Sequence, residues 1–162
     1  MSARETLLLK VNVANAQEMI DLGCRLAESL QAGDVVVLVG DLGAGKTTLT
    51  RGIGSGLGVR GPVTSPTFVV ARHHPSITDN VALVHVDAYR ISSVAEIDDL
   101  DLENDQAVTV VEWGAGLVEH LSDSHLRITL STVDEAPEDV ERDTVRGVRI
   151  DGIGPRWRAV RL

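Results

Sequence analysis

Aromatic residues are nearly missing from this chain. Phe68, Tyr89, Trp113 and Trp157 are the four found in 162 residues. An interior of ordinary size must therefore be built from Val, Leu, Ile and Ala. Cysteine occurs once, at Cys24, which excludes an internal disulfide and suits a reducing compartment, so a cytoplasmic location is expected. Positive charge is also short: 15 Lys and Arg face 24 Asp and Glu, for a net charge of -9. That balance argues against strong binding of nucleic acid by this chain alone, because neutralising phosphates takes clustered Lys and Arg. It leaves room for a partner that supplies such contacts. No apolar run approaches the roughly 20 residues of a membrane-spanning helix, and no charged-then-apolar leader opens the sequence. N-K-x-D is absent, and no D-x-x-G follows the apolar run 81–86, which argues against a GTPase of the Ras type.

Against these absences stands one strong presence. Residues 40–52 read GDLGAGKTTLTRG and contain G-x-x-x-x-G-K-[ST] from Gly40 to Thr47. The apolar run 35–39 before it reads as a short buried strand, and a helix is expected from Lys46 to about Leu57, weakened and closed by Gly54, Gly56 and Gly58. That strand–turn–helix context gives the motif its physical meaning. Glycines let the backbone curl so that successive N–H groups face a phosphate, and the helix start adds about half a positive charge there. Asp41, Gly43, Ala44, Gly45, Lys46, Thr47 and Thr48 are the candidate nucleotide-binding residues. Lys46 is a point charge for the β- and γ-phosphates, and the Thr47 hydroxyl is a candidate Mg²⁺ ligand. The chain has two lysines, Lys10 and Lys46, against thirteen arginines, and one of the two stands where a compact ammonium is needed.

A phosphate site of this kind needs an acid from a neighbouring strand. Two apolar runs end in one: VALVHV is followed by Asp87, and AVTVV by Glu112. In a parallel sheet both carboxylates reach the edge that carries the phosphate loop, so Lys46, Asp87 and Glu112 are the candidate catalytic residues and Thr47, Glu112 and Asp87 the candidate metal set. Either acid is able to orient an attacking water. Thr64, Ser65, Pro66 and Thr67 sit where a switch loop would lie, although spacing alone favours an ordinary loop entering a strand.

The remaining chain reads as one α/β domain, residues 1–162: a P-loop NTPase-like three-layer fold with a mixed, mostly parallel central sheet and antiparallel C-terminal strands. Further strands are expected at 7–13, 67–71, 81–86, 107–111, 126–130, 144–150 and 156–162, and helices at 16–31, 93–102 and 116–121. HHPSITDN reads as a turn, with His73 and His74 in a solvated loop, and DGIGP as the turn of a final hairpin. Cys24 falls on the apolar face of the first helix with Ile20 and Ala27. The six arginines from Arg142 to Arg161 read as the charged face of an edge hairpin, with a surface for tRNA or an acidic partner as the alternative.

In order and spacing, GDLGAGKTTLTRG, VTSPTF, HVDAYR and VVEWG resemble the bacterial TsaE family, P-loop ATPases of tRNA threonylcarbamoyladenosine synthesis. The resemblance spans about residues 13–131. It implies ATP or ADP and Mg²⁺ as ligands, with residues 43–48 on the phosphates. It also implies Thr47 and Glu112 at the metal, Trp113 packed beside Glu112, Asp87 as the acid needed for hydrolysis, 64–67 as the mobile switch, and Asn15 near the adenine. It further implies a two-protein threonylcarbamoyl transferase as partner, with tRNA met indirectly. Where this chain has Ala88, family members often carry Leu. Read from the residues alone, a small-molecule kinase or a non-hydrolysing nucleotide-sensing adaptor uses the same loop. A kinase needs lid arginines, for which Arg60, Arg72 and Arg90 are the candidates between the loop helix and Glu112.

Overall fold

The computed structural model describes residues 4–41, 43–59, 61, 63, 71–77, 81–88, 93, 95–96, 106–113, 122–132 and 145–162. In chain order they form β1 (Glu5–Val13), α1 (Ala16–Ala27), β2 (Val35–Val39), α2 (Lys46–Leu57), β3 (Ala71–His74), β4 (Ala82–Asp87), β5 (Ala107–Glu112), β6 (His125–Thr132) and β7 (Arg146–Ile153). A short 3-10 turn, Pro155–Trp157, follows. The seven strands make one sheet in the order β1-β7-β6-β2-β5-β4-β3. Its centre, β6-β2-β5-β4, is parallel, while β7, β1 and β3 are antiparallel to their neighbours. The expected mixed α/β fold is therefore the observed one.

β2 reads as an unbroken apolar run, and β5 as one interrupted only by the buried Thr109 before Glu112, because both faces of a central parallel strand are covered. Val36 and Leu38 join Val108, Val110, Ile128 and Ile150 in the core beneath α1 and α2. Val35 and Val37 face the other way, with Val84, Val86 and Val111. Alternation along β4 then decides what reaches the site. Leu83 belongs to the helix-side core, so His85 and Asp87, two and four residues on, project to the same side as α2. Glu112 shares that side with Val108 and Val110.

α1 and α2 pack closely because glycines line their contact. A Cβ on Gly23 would stand 2.5 Å from the Leu49 carbonyl oxygen, and one on Gly56 2.8 Å from that of Cys24. A Cβ on Gly52 would collide with the Ile20 carbonyl. The glycines of α2 thus trade helix propensity for close approach, and Gly58 alone closes the helix, donating to Gly54 and Ser55. Gly52→Ala is expected to destabilise the fold by about 1–3 kcal/mol through overpacking. A thermal melt checks this; an unchanged midpoint would contradict the packing described.

Four expectations need correction. His73 and His74 lie in β3, not in a solvated turn, and His74 is buried. Edge pairing with β4, in the register His74↔Leu83, overrides the polar composition of the segment. Residues 151–155 do not turn a hairpin, and 156–162 do not form a strand. Asp151–Ile153 continue β7, whose two neighbours are β6 and β1, so both of its edges are already paired. The chain then turns at Pro155, and Trp157, 1% exposed, plugs the core. Helix α1 ends at Ala27 rather than 31, and Cys24 on it is half-buried. The expected strand 67–71, apart from Ala71, and the expected helix at 116–121 lie outside the described residues, as does most of the one at 93–102.

Candidate functional site

β2 ends at Val39, and the loop runs into α2 at the edge of the sheet where β4 and β5 also end. Gly43 (φ 79°) and Gly45 (φ 106°) hold left-handed backbone that other residues rarely adopt. Gly45 is the N-cap of α2, which has no side-chain cap and no acidic residue in its first turn. The first amides of α2 are therefore left facing the loop, as an anion site requires.

Lys46 is 5% exposed. Its Nζ donates to the Gly40 and Asp41 carbonyl oxygens at 2.6 and 2.9 Å and lies 4.0 Å from the centre of the Trp113 ring. Burial lowers its pKa below the ordinary lysine value, opposed by the charges of Glu112, Asp41 and Asp87. The sign has a consequence. Anion binding needs the ammonium, so affinity for a phosphate ligand such as ADP should be full below this lowered value and decline as pH rises through it, earlier than for an exposed lysine. Titrations of ADP across alkaline pH check it; an affinity flat to the ordinary lysine range would contradict it.

Asp87 and Glu112 are paired across β4 and β5, and the Ala88 amide donates to the Glu112 carbonyl at 2.8 Å. Glu112 is 5% exposed. Its Oε2 lies 2.6 Å from His85 Nε2, and its Oε1 faces the Thr47 hydroxyl at 3.5 Å. Trp113, next in sequence, has φ 62°, the one non-glycine in left-handed backbone among the described residues. Such backbone costs about 1–3 kcal/mol and persists where the surroundings hold it, here where the ring covers Lys46. Among the described residues no cluster of three or more His, Cys, Asp or Glu forms a metal site. The Thr47 hydroxyl and Glu112 carboxylate are hard oxygen donors of the kind Mg²⁺ takes when phosphates and water complete its shell.

The structure thus brings Lys46, Thr47, Glu112 and Trp113 together, with Asp87 close enough to act on the Lys46 charge. Ala44 is buried, and Thr48 lies in the first turn of α2. Asp41 is exposed, and it is its carbonyl that meets Lys46. Asn15 caps α1, accepting from the Glu18 amide at 2.9 Å, and Met19 in the next turn packs against the Gly45 position. Thr64, Ser65, Pro66 and Thr67 lie outside the described residues.

Two nearby residues escape sequence reasoning. Arg146, at the start of β7, brings Nη2 to 3.5 Å from the Gly43 carbonyl. Its neighbours in register are Val13 and Thr132, so it stands at the rim beside the start of α1. Of the other arginines read as one charged face, Arg156 pairs with Asp34, and Arg149 with the buried Asp151, which raises the Arg149 pKa. His85 lay hidden inside an apolar run.

A parallel strand, a glycine turn and an uncapped helix with lysine at its start define a protein of the P-loop NTPase-like class. The family model for TsaE, "Threonylcarbamoyl adenosine biosynthesis protein TsaE", matches residues 13–143, and the chain belongs to that family. A Streptomyces coelicolor protein named tRNA threonylcarbamoyladenosine biosynthesis protein TsaE is 57% identical over 142 residues, 86% of this chain and 93% of its own. A Mycobacterium tuberculosis protein of the same name is 52% identical over 126 residues, 72% and 75% of the two chains. The crystal structure of Bacillus subtilis YdiB matches at a TM-score of 0.70 and 27% identity, covering 97% of this chain and 91% of that one.

Proposed function

We propose that this chain is a Mg²⁺-dependent ATPase serving threonylcarbamoyladenosine modification of tRNA, acting as a switch on the transferase that installs the group. The observation that carries the reading is the meeting of Lys46, Thr47, Glu112 and Trp113 at the uncapped start of α2. The amides of the loop and of α2 bind the phosphates. Lys46 already has carbonyl partners on the loop and needs only to redirect its donors to a phosphate oxygen. Arg146 closes the rim from β7 and adds a second cation. Thr47 and Glu112 hold the metal, which when bound neutralises charge on the phosphates. Asp87 or Glu112 orients the attacking water, so the rate comes from positioning and charge. The relatives' names support a role in threonylcarbamoyladenosine biosynthesis, and the net charge of -9 fits contact with tRNA through a partner protein.

The test is ATP turnover by the purified chain, alone and with the transferase pair, with the fate of the γ-phosphate followed. Release of inorganic phosphate that rises with the partners is expected. Transfer to a metabolite would make it a kinase, and no turnover in any combination would make it a nucleotide-sensing adaptor.

A further inference from the structure

We propose that His85 is a positioning residue: its Nε2–H holds one oxygen of Glu112, so that the other is presented toward the Thr47 hydroxyl, where the two would hold the metal. The proposal rests on the phosphate-site reading above and adds a residue to it.

His85 is fully buried on β4, two residues before Asp87. A histidine inside an apolar run is often only a packed core residue, but here one nitrogen has a partner of consequence. The Nε2···Oε2 distance of 2.6 Å is that of a strong charge-assisted hydrogen bond. The carboxylate only accepts, so the proton on this contact is the imidazole's. Nδ1 is buried with no hydrogen-bond partner among the described residues. A buried N–H without a partner is costly, so Nδ1 is the bare nitrogen and the ring is the Nε2–H tautomer.

Register makes this contact diagonal: His85 pairs with Val110, and Glu112 pairs with Asp87. The imidazole therefore leans along the sheet to reach the carboxylate, and it fixes the rotation of that carboxylate about its last bond. Without it, Glu112, buried to 5% exposure, is free to turn either oxygen to Thr47 or to neither. Hydrogen-bond partners of metal-binding carboxylates work in this way, and losing one typically weakens metal binding by about 10–100-fold. β4 thereby serves the site twice, carrying Asp87 and the donor that orients Glu112.

The test is ADP affinity with Mg²⁺ and with EDTA, for wild type, His85→Gln and His85→Asn. The glutamine amide nitrogen reaches about where Nε2 stands; the asparagine amide is one methylene too short. His85→Asn should lose about tenfold or more of the Mg²⁺-linked gain while keeping EDTA affinity within about twofold, and His85→Gln should keep most of the gain. Equal losses with and without Mg²⁺, or identical behaviour of the two variants, would overturn the proposal. Should a variant fail to fold, the imidazole nitrogen NMR spectrum of wild type and Glu112→Gln decides. A protonated Nε2 whose proton moves upfield in Glu112→Gln supports the contact, and a protonated Nδ1 refutes it. A wild type with no Mg²⁺-linked gain shows failure of the underlying site reading, visible before any variant is measured.

Discussion

Lys46→Ala should abolish ATP turnover and weaken ATP binding by about a hundredfold or more, the scale of removing one member of a buried, hydrogen-bonded charge pair. The variant loses more than a phosphate contact. The Gly40 and Asp41 carbonyl oxygens lose the donor that meets them at 2.6 and 2.9 Å, and the Trp113 ring loses the cation beneath it. Glu112, Asp41 and Asp87 lose the positive charge that their fields act on. Lys46→Arg should not rescue it. A planar guanidinium is larger than an ammonium and cannot direct donors to two loop carbonyls and a phosphate from the same buried position. Turnover is read as phosphate release and binding by calorimetry. A rate like that of wild type would remove Lys46, and with it the loop, from the site.

Glu112→Gln should cost the Mg²⁺-dependent part of nucleotide affinity about 10–100-fold and leave the Mg²⁺-free part nearly intact. The substitution preserves shape: an amide oxygen can still accept from His85 Nε2. What it removes is the negative oxygen facing the Thr47 hydroxyl at 3.5 Å. Turnover should fall with it, because metal binding depends on that oxygen and Glu112 is one of the two carboxylates able to orient the water. Paired titrations with Mg²⁺ and with EDTA check this. Equal losses under both conditions would mean that Glu112 is a structural acid beside Lys46 and no metal ligand.

The features that proved legible in sequence are those set by short-range physics. β2, the loop and α2 were readable because an apolar run, glycines at turn spacing and a lysine at the helix start are all local signals. Asp87 and Glu112 were readable because each ends a buried run, and parallel pairing brings such ends to one edge. β3 was not, because Ala71–His74 is a strand only by virtue of its pairing with β4. The final segment was misread because its alternating pattern yields to the burial of Trp157, a tertiary gain larger than strand propensity. His85 and Arg146 were hidden for a related reason. The first acts across a diagonal between β4 and β5, the second across about a hundred residues of chain, and no spacing along the sequence encodes either distance.

The central claim is that an uncapped helix start, one buried ammonium and a threonine–glutamate pair bind a nucleotide together with a divalent cation. Calorimetric titration of the purified chain with ATP and with ADP, each with Mg²⁺ and with EDTA, tests it most directly. Saturable binding of both nucleotides, tighter with Mg²⁺, is the expected result. No heat of binding for either nucleotide with Mg²⁺ present, from a chain that is folded by its thermal melt, would contradict the account.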